Sequence, residues 1–415
     1  MTNLNKAAFT DDALDRKKLA EGIYKLLEGL PKGVVAIDGD WGIGKTWFGE
    51  NLEALIKERN QFNVVWIDAF EADWVDDPAL TLISSMGAAL GAAERKNLFD
   101  SVAPLIARAV PNLAKAAAKT AGNLIGINED VLDTAADILK DESEEIIRAK
   151  LDELAERKEV LEHLKRLIAK HIKEAKGEKV IVIVDELDRC SPAYAIRLLE
   201  RLKHLFDIEG VAFLLLWNRL QIKQAVEAFY GAGTDGSMYL DKFIDYPIAM
   251  SFASLSTNSP PMERLISLLA EELDQQRKLR FLDNSRWLIA ISTLLNLNAR
   301  QCKRMLDWWT MSSTRNFVAL ESWLIGLKAK YPMIYQGVCS GELSSHHLAA
   351  NLLINIKESD QNYRVAQVFL RLHRSYERNV FDEKDEELKQ FCAGFGVSLS
   401  ESIGIARRHI EGTFD

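Results

Sequence analysis

The stretch "GVVAIDGDWGIGKTWFGE", Gly33 to Glu50, decides how this chain is read. It opens with a short apolar run, Gly33–Ile37, that has the pattern of a buried strand. Three glycines follow, Gly39, Gly42 and Gly44, before Lys45 and Thr46 open a helix-like segment that runs to Arg59. Gly39-Asp40-Trp41-Gly42-Ile43-Gly44-Lys45-Thr46 has the spacing G-x-x-x-x-G-K-[ST]. Glycines let the backbone curl until successive N–H groups point at a phosphate, and the N-terminus of the following helix adds partial positive charge. Lys45 would reach the β and γ phosphates of a nucleotide, and the Thr46 hydroxyl would bind Mg²⁺. Gly39 to Thr46, with the adjoining Trp47, are therefore the expected nucleotide-binding residues. The alternative is a glycine-rich turn with a chance lysine. A strand directly before it and a helix directly after it are the context that a phosphate cradle requires.

Outward from this stretch, four further segments read as strands. "FNVVWIDAF" is the second, and "KVIVIVDELDR" is the strongest, with five consecutive β-branched residues from Val180 to Val184. "GVAFLLLWN" is another buried strand, and "YPIAMSF" is the fifth. Helical spacing covers Leu14–Leu30 before the cradle and Pro192–Phe206 between the third and fourth strands. Strands apolar on both faces and separated by helices predict a parallel sheet covered on both sides. A long helical region with no strand pattern runs from about Pro78 to Lys176, and only helical patterns follow Pro260. The expected fold is an α/β three-layer parallel sheet of the P-loop NTPase class, with a long helical insertion and an all-helical C-terminal domain. The expected boundaries are 1–77 and 177–258 for the core, 78–176 for the insertion and 259–415 for the helical domain.

The third strand ends in acids, as a nucleotide site needs. Asp185 would hold the Mg²⁺, and Glu186 would orient and deprotonate the attacking water. Acids that merely end a strand at the surface are the alternative. A glutamate at this point favours hydrolysis over binding alone. Asn218 ends the fourth strand. In P-loop ATPases with a glutamate base that strand lies between the cradle strand and the metal-binding strand, which would set Asn218 near the γ-phosphate. Asparagine is also a preferred helix N-cap, here before "RLQIKQAVEAF", and both roles can hold at once.

Composition narrows the class further. The net charge of −9 argues against a general coat for nucleic acid, which needs a basic surface. Cys190, Cys302, Cys339 and Cys392 lie far apart with no CxxC pair, so neither a zinc site nor a disulfide framework is expected. The N-terminal residues carry no apolar signal region. No charge-free run reaches the roughly 18 residues that a membrane-spanning helix needs. A soluble, cytoplasmic protein without an integral membrane segment is the expectation.

These residues resemble the KAP family of P-loop NTPases, named for a kinase-binding neuronal membrane scaffold and a plasmid-encoded phage-exclusion protein. The family's GxWGxGK[ST] is similar to "GDWGIGKT", including Trp41, and its D-D-L-D-R-C is similar to "DELDRC", Asp185 to Cys190, with Glu186 substituted. "MYLDKFIDYPIAM" and "LNARQCKRMLD" resemble two further family segments, the latter an Arg-x-x-x-Arg helix supplying Arg300 and Arg304. The resemblance spans roughly Leu14 to Asp307. Two departures are plain. Where family members often have N-A-W this chain has "DAFEADW", with Asp68 and Glu71. Many members also carry paired transmembrane helices where residues 127–160 here hold twelve acids against five bases, too many charges for a bilayer.

The resemblance implies an ATPase that uses ATP and Mg²⁺ to switch conformation or assembly, with a role in bacterial defence against phage and a protein partner or self-association. A nucleotide-dependent scaffold without turnover and a DNA-directed ATPase are the alternatives, and nucleic-acid binding stays open. No pattern for guanine recognition is apparent, so ATP is expected over GTP. Arg189, Arg300 and Arg304 are candidates for an arginine donated to the γ-phosphate, and surface ion pairs are the simpler reading of each.

Overall fold

The computed structural model describes residues 7–74, 179–203, 208–231, 233–251, 261–277, 285–311, 318–340 and 366–371, together with isolated residues elsewhere. The expected insertion, 78–176, lies almost wholly outside the described residues. By its contacts the chain forms two compact units. The first comprises Lys18–Asp40 and Lys45–Met250 with the N-terminal residues to Thr10. The second comprises Ser251–Asp415 with Asp11–Lys17 and Trp41–Gly44.

Among the described residues the first unit has five strands: β1 (Gly33–Asp38), β2 (Phe62–Asp68), β3 (Lys179–Asp185), β4 (Val211–Trp217) and β5 (Tyr246–Ala249). They form one sheet in the order β2-β3-β4-β1-β5, and every pairing is parallel. The segments read as strands in the sequence are these five. Val180–Val184 and all of β4 are buried, as a central strand covered on both faces must be. On one face Val34, Ala36, Val182, Val184, Phe213 and Leu215 pack under α3 (Pro192–Lys203) through Leu198 and Leu202. On the other, α2 (Lys45–Arg59) buries Phe48, Leu52 and Ile56. Fully burying each of these large side chains is worth about 1.5–3 kcal/mol. Gly49 lets α2 approach the sheet, since a Cβ there would lie 2.4 Å from Leu216 Cδ1 and 2.9 Å from the Trp66 ring.

Because all strands are parallel, their C-terminal ends lie along one edge, where α/β sheets present their ligand sites. Asp38, Asp68, Asp185 and Trp217 end their strands there, with Asn218 following. The α1 helix (Arg16–Gly29) ends on Lys179, whose Nζ donates to the Leu30 carbonyl at 2.8 Å, a cation placed at the negative end of a helix. After β4, α4 (Arg219–Tyr230) and the short α5 (Gly236–Asp241) lead into β5, an edge strand whose Pro247 is tolerated there.

The described elements of the second unit are helices: α6 (Pro261–Arg277), α7 (Ser285–Leu294), α8 (Ala299–Met311), α9 (Val318–Lys330) and α10 (Pro332–Ser340). Its core gathers Ile266, Leu288, Ile291, Met305, Leu320 and Trp323, and Trp323 stacks on Phe369 at 4.2 Å. Burial pushes the Cys302 thiol up to about 12, so it is a packing residue and no nucleophile. The start of α8 is a reciprocal cap, in which Gln301 N donates to Asn298 Oδ1 at 2.9 Å and Asn298 N donates to Gln301 Oε1 at 3.0 Å. Within the same unit Asn298 Nδ2 donates to the Trp41 carbonyl at 2.9 Å, and Arg300 N donates to the Gly42 carbonyl at 3.3 Å.

Candidate nucleotide-binding site

The loop between β1 and α2 is built on glycine for two different reasons. Gly42 and Gly44 take φ of 81° and 96°, a left-handed region that other residues enter only with strain. At Gly42 there is no room either, since a Cβ would lie 2.6 Å from Asn298 Oδ1. At Gly44 a Cβ would meet nothing within 4 Å, so backbone conformation alone requires glycine and the space beside it is open. The loop starts with Gly39 N donating to the Trp217 carbonyl at 3.2 Å, which ties it to the end of β4.

Lys45 is only 8% exposed. Its ammonium folds back on the loop, donating to the Gly39 carbonyl at 2.7 Å and more loosely to the Asp40 carbonyl at 3.4 Å. Burial pulls its pKa down, against the opposing pull of Asp188, Asp185, Asp38 and Asp40. A cation held this way, beside open space and at a helix N-terminus, is chemically matched to an anion. Trp47 packs edge-on against Phe9 at 5.7 Å, and Phe9 N donates to Asn51 Oδ1, so this tryptophan anchors the N-terminal segment on α2. Trp41 is exposed.

Asp185, the last residue of β3, is 3% exposed. Burial raises its pKa; hydrogen bonds from the Thr46 side chain and the Glu186 amide oppose that, while Asp68 and Asp188 add to it. Thr46 thus acts on the Asp185 carboxyl, and these are the two residues expected to hold a divalent cation. The donors suit Mg²⁺: one hydroxyl and one carboxylate, leaving positions for phosphate oxygens and water. Among the described residues no cluster of three His, Cys, Asp or Glu side chains forms a metal cage.

Glu186 follows in the left-handed region, at φ 58° and ψ 21°. Its amide donates to Asp185 Oδ1 at 2.8 Å, and its Oε1 pairs with Arg189 Nη2 at 2.8 Å across the 3₁₀ turn Leu187–Arg189. Burial raises its pKa, and Arg189 opposes the rise. Asn218 is buried, and its side chain accepts from Gln221 N at 3.3 Å as the N-cap of α4. Strand β4 lies between β1 and β3, the placement expected of it.

Of the three arginines singled out in the sequence, Arg189 is engaged by Glu186 itself. Arg304 lies over the Trp308 ring at 5.9 Å, and Arg300 meets the loop through its backbone. The sequence reading passed over three acids, Asp38, Asp73 and Asp188, and named Asp68 without giving it a role. Asp188 is the first acid acting on Lys45. Asp38 Oδ1 accepts Arg219 N at 2.8 Å and joins β1 to α4. Asp68 faces Asp185 in register, and Asp73 accepts from Ser191 N and Oγ at the start of α3. An Asp at the end of a strand is a signal that could have found Asp38 and given Asp68 its place.

A sequence model of the KAP family P-loop domain matches residues 16–314, well over half of the chain. The chain belongs to the KAP family. The match begins at the first residue of α1 and runs past α8, so the KAP domain includes the glycine loop, the β3 acids and the α8 cap. No curated protein sequence matches the chain. Among solved structures it resembles the crystal structure of Cdc6p from Pyrobaculum aerophilum, with 12% identity and a TM-score of 0.42 over 97% of this chain and 95% of that one. Among its described residues this KAP protein has no helix long and apolar enough to cross a membrane.

Proposed function

We propose that this KAP protein is an Mg²⁺-dependent ATPase that works in the cytoplasm and uses binding and hydrolysis to switch conformation or assembly. The observation that carries the reading is the glycine loop with its buried Lys45 at the same end of the sheet as the buried Asp185, on whose carboxyl the Thr46 side chain acts, with Glu186 next in the chain. The loop amides of Gly39–Thr46 and the Lys45 ammonium would bind the β and γ phosphates. Thr46 and Asp185 would hold the Mg²⁺, which when bound supplies neutralising charge to the phosphates. Glu186 takes a proton from water as the water oxygen bonds to the γ-phosphorus and the bond to the β–γ bridging oxygen breaks, leaving ADP and phosphate. Asn218 would sense the γ-phosphate while it caps α4.

The test is a paired measurement of ATP binding and turnover in the parent and in Lys45→Ala and Glu186→Gln. Lys45→Ala is expected to lose binding, and Glu186→Gln to bind and retain ATP without turnover. If both variants bind and hydrolyse as the parent does, the assignment is wrong. Large apolar side chains at the surface of the first unit, Leu220, Phe229, Tyr230 and Met238, support association with a protein partner or a second copy. Light scattering of Glu186→Gln with and without ATP would detect self-association. A role in defence against phage rests on the family resemblance, and a plaque assay comparing parent and Lys45→Ala in a bacterial host would test it.

A further inference from the structure

We propose that Arg189 is a positioning residue for Glu186, a clamp that fixes the direction of the glutamate carboxylate from the far end of the 3₁₀ turn. The inference rests on the ATPase reading above, in which Glu186 handles the proton of the attacking water.

The geometry starts with the backbone. A strand continuing straight past Asp185 would carry the next side chain out in an extended direction. Glu186 instead turns into the left-handed region, a conformation that few non-glycine residues adopt without support. Three hydrogen bonds supply the support, and all come from within the motif. The Glu186 amide is held by Asp185 Oδ1 at 2.8 Å. The Glu186 carbonyl accepts from Arg189 N at 3.1 Å and from Cys190 Sγ at 3.7 Å. Leu187 is buried in the core beneath the sheet and anchors the turn from below. The backbone of "ELDRC" is thus a closed turn built around one residue.

A glutamate side chain still has three rotatable bonds after its backbone is fixed. The Arg189 guanidinium removes that freedom, since Nη2 holds Oε1 at 2.8 Å. The ion pair engages one carboxylate oxygen and leaves Oε2 as the acceptor for a water proton. Glu186 is the more buried partner and Arg189 the more exposed one, so the guanidinium reaches inward from the surface to grip the acid. A restraint formed across three residues needs no partner from elsewhere in the fold and moves with the catalytic turn. A half-exposed pair of this spacing contributes little to stability, so its loss should be felt in rate rather than in folding.

Arg189→Met and Arg189→Lys test the inference in the full-length chain, with ATP turnover, affinity for a fluorescent ATP analogue and thermal unfolding measured together. A misdirected base costs rate steeply, so kcat of Arg189→Met is expected to fall roughly 10- to 100-fold. KM and the analogue's Kd should stay within about threefold of the parent, because the lost interaction acts in the transition state. Tm should move by no more than about 2 °C. Arg189→Lys keeps a positive charge within reach and should recover a substantial part of the lost kcat. An unchanged kcat in Arg189→Met would overturn the proposal. A raised kcat would overturn it as well, by showing that the pair restrains the base. So would a Lys variant no better than Met, or a kcat loss matched by losses in Kd and Tm. Glu186→Gln, run alongside, separates the two levels: if it turns over ATP like the parent, the hydrolytic assignment of Glu186 fails first. If it is inactive while Arg189→Met is normal, only the clamp fails.

Discussion

Asp185 and Lys45 are opposite charges buried at the same sheet edge, and each sits in an environment that disfavours its ionised form. The phosphate and the metal expected between them would relieve both. Before ligand binds, the cost falls on the fold, and pH exposes it. Asp185 ionises in the unfolded chain near its ordinary value of 3.8 and in the folded chain at a higher pH. Between those values the folded state holds the extra proton, so stability falls as pH rises through that window and stays at the lower level above it. Nucleotide-free Asp185→Asn should therefore melt above the parent at pH 7, with the gap closing as the pH is lowered toward 4. It should also lose the Mg²⁺ dependence of ATP binding, and an unchanged metal titration would remove Asp185 from the metal shell. The loss of binding expected of Lys45→Ala is a weakening of at least about 100-fold, the worth of one or two charge-assisted bonds. Isothermal titration would read it. Lys45, Thr46, Asp185 and Glu186 were legible as candidates because their spacing from glycines and from a β-branched run is local. The Arg189–Glu186 pair was not. It exists because Glu186 adopts positive φ, and no sequence pattern announces that conformation at a glutamate.

Among the secondary-structure elements, the strands were legible for the reason that buries them: runs apolar on both faces leave no solvent side for alternation to mark. The order β2-β3-β4-β1-β5 is less accessible to a reader of sequence, since it depends on crossovers and on which strand each helix covers. Helix α2 shows how tightly that covering is set. Gly49→Ala should raise local helix propensity by about 1 kcal/mol. The added methyl would nonetheless enter the space of Leu216 and Trp66. Overpacking of this kind costs about 1–3 kcal/mol, so the variant should unfold at lower denaturant than the parent, with an unchanged m-value. Helix α4 offers a cleaner separation of roles at Asn218. Asn218→Ala should cost about 1 kcal/mol as a lost cap. Asn218→Asp keeps a capping oxygen and should unfold like the parent, while a negative charge near the γ-phosphate lowers turnover by an order of magnitude or more. Unimpaired turnover in Asn218→Asp would leave the residue a cap and nothing else.

For the molecule as a whole, the large question is what residues 78–176 contribute. They lie almost wholly outside the described residues, yet the strands that bracket them are fully paired, from Phe62 opposite Lys179 to Asp68 opposite Asp185. A parallel pair needs a crossover of only about a dozen residues. Replacing 78–176 with a flexible linker of about that length should leave ATP binding within about threefold of the parent, as a measured Kd. The biological output should be lost if the segment is the effector element. Loss of ATP binding would show that the segment belongs to the core. The charge of this segment was plain from sequence. Its task was not, because a task depends on a partner's surface, which this chain's residues do not encode.

The full register between β2 and β3 has a use beyond this protein's own biology. Each doubling of a loop's length adds only about 0.6 kcal/mol to the entropy of closing it, so growth from about 12 to about 100 residues costs ~2 kcal/mol. The end of β2 and the start of β3 lie six strand residues apart, roughly 20 Å, so they form a port into which a foreign receptor with termini at that separation could be spliced. Since one side of the port is the strand that ends in Asp185 and Glu186, binding of a drug or metabolite to the graft would be read out as phosphate released per minute. The sheet would serve as the chassis of a sensor.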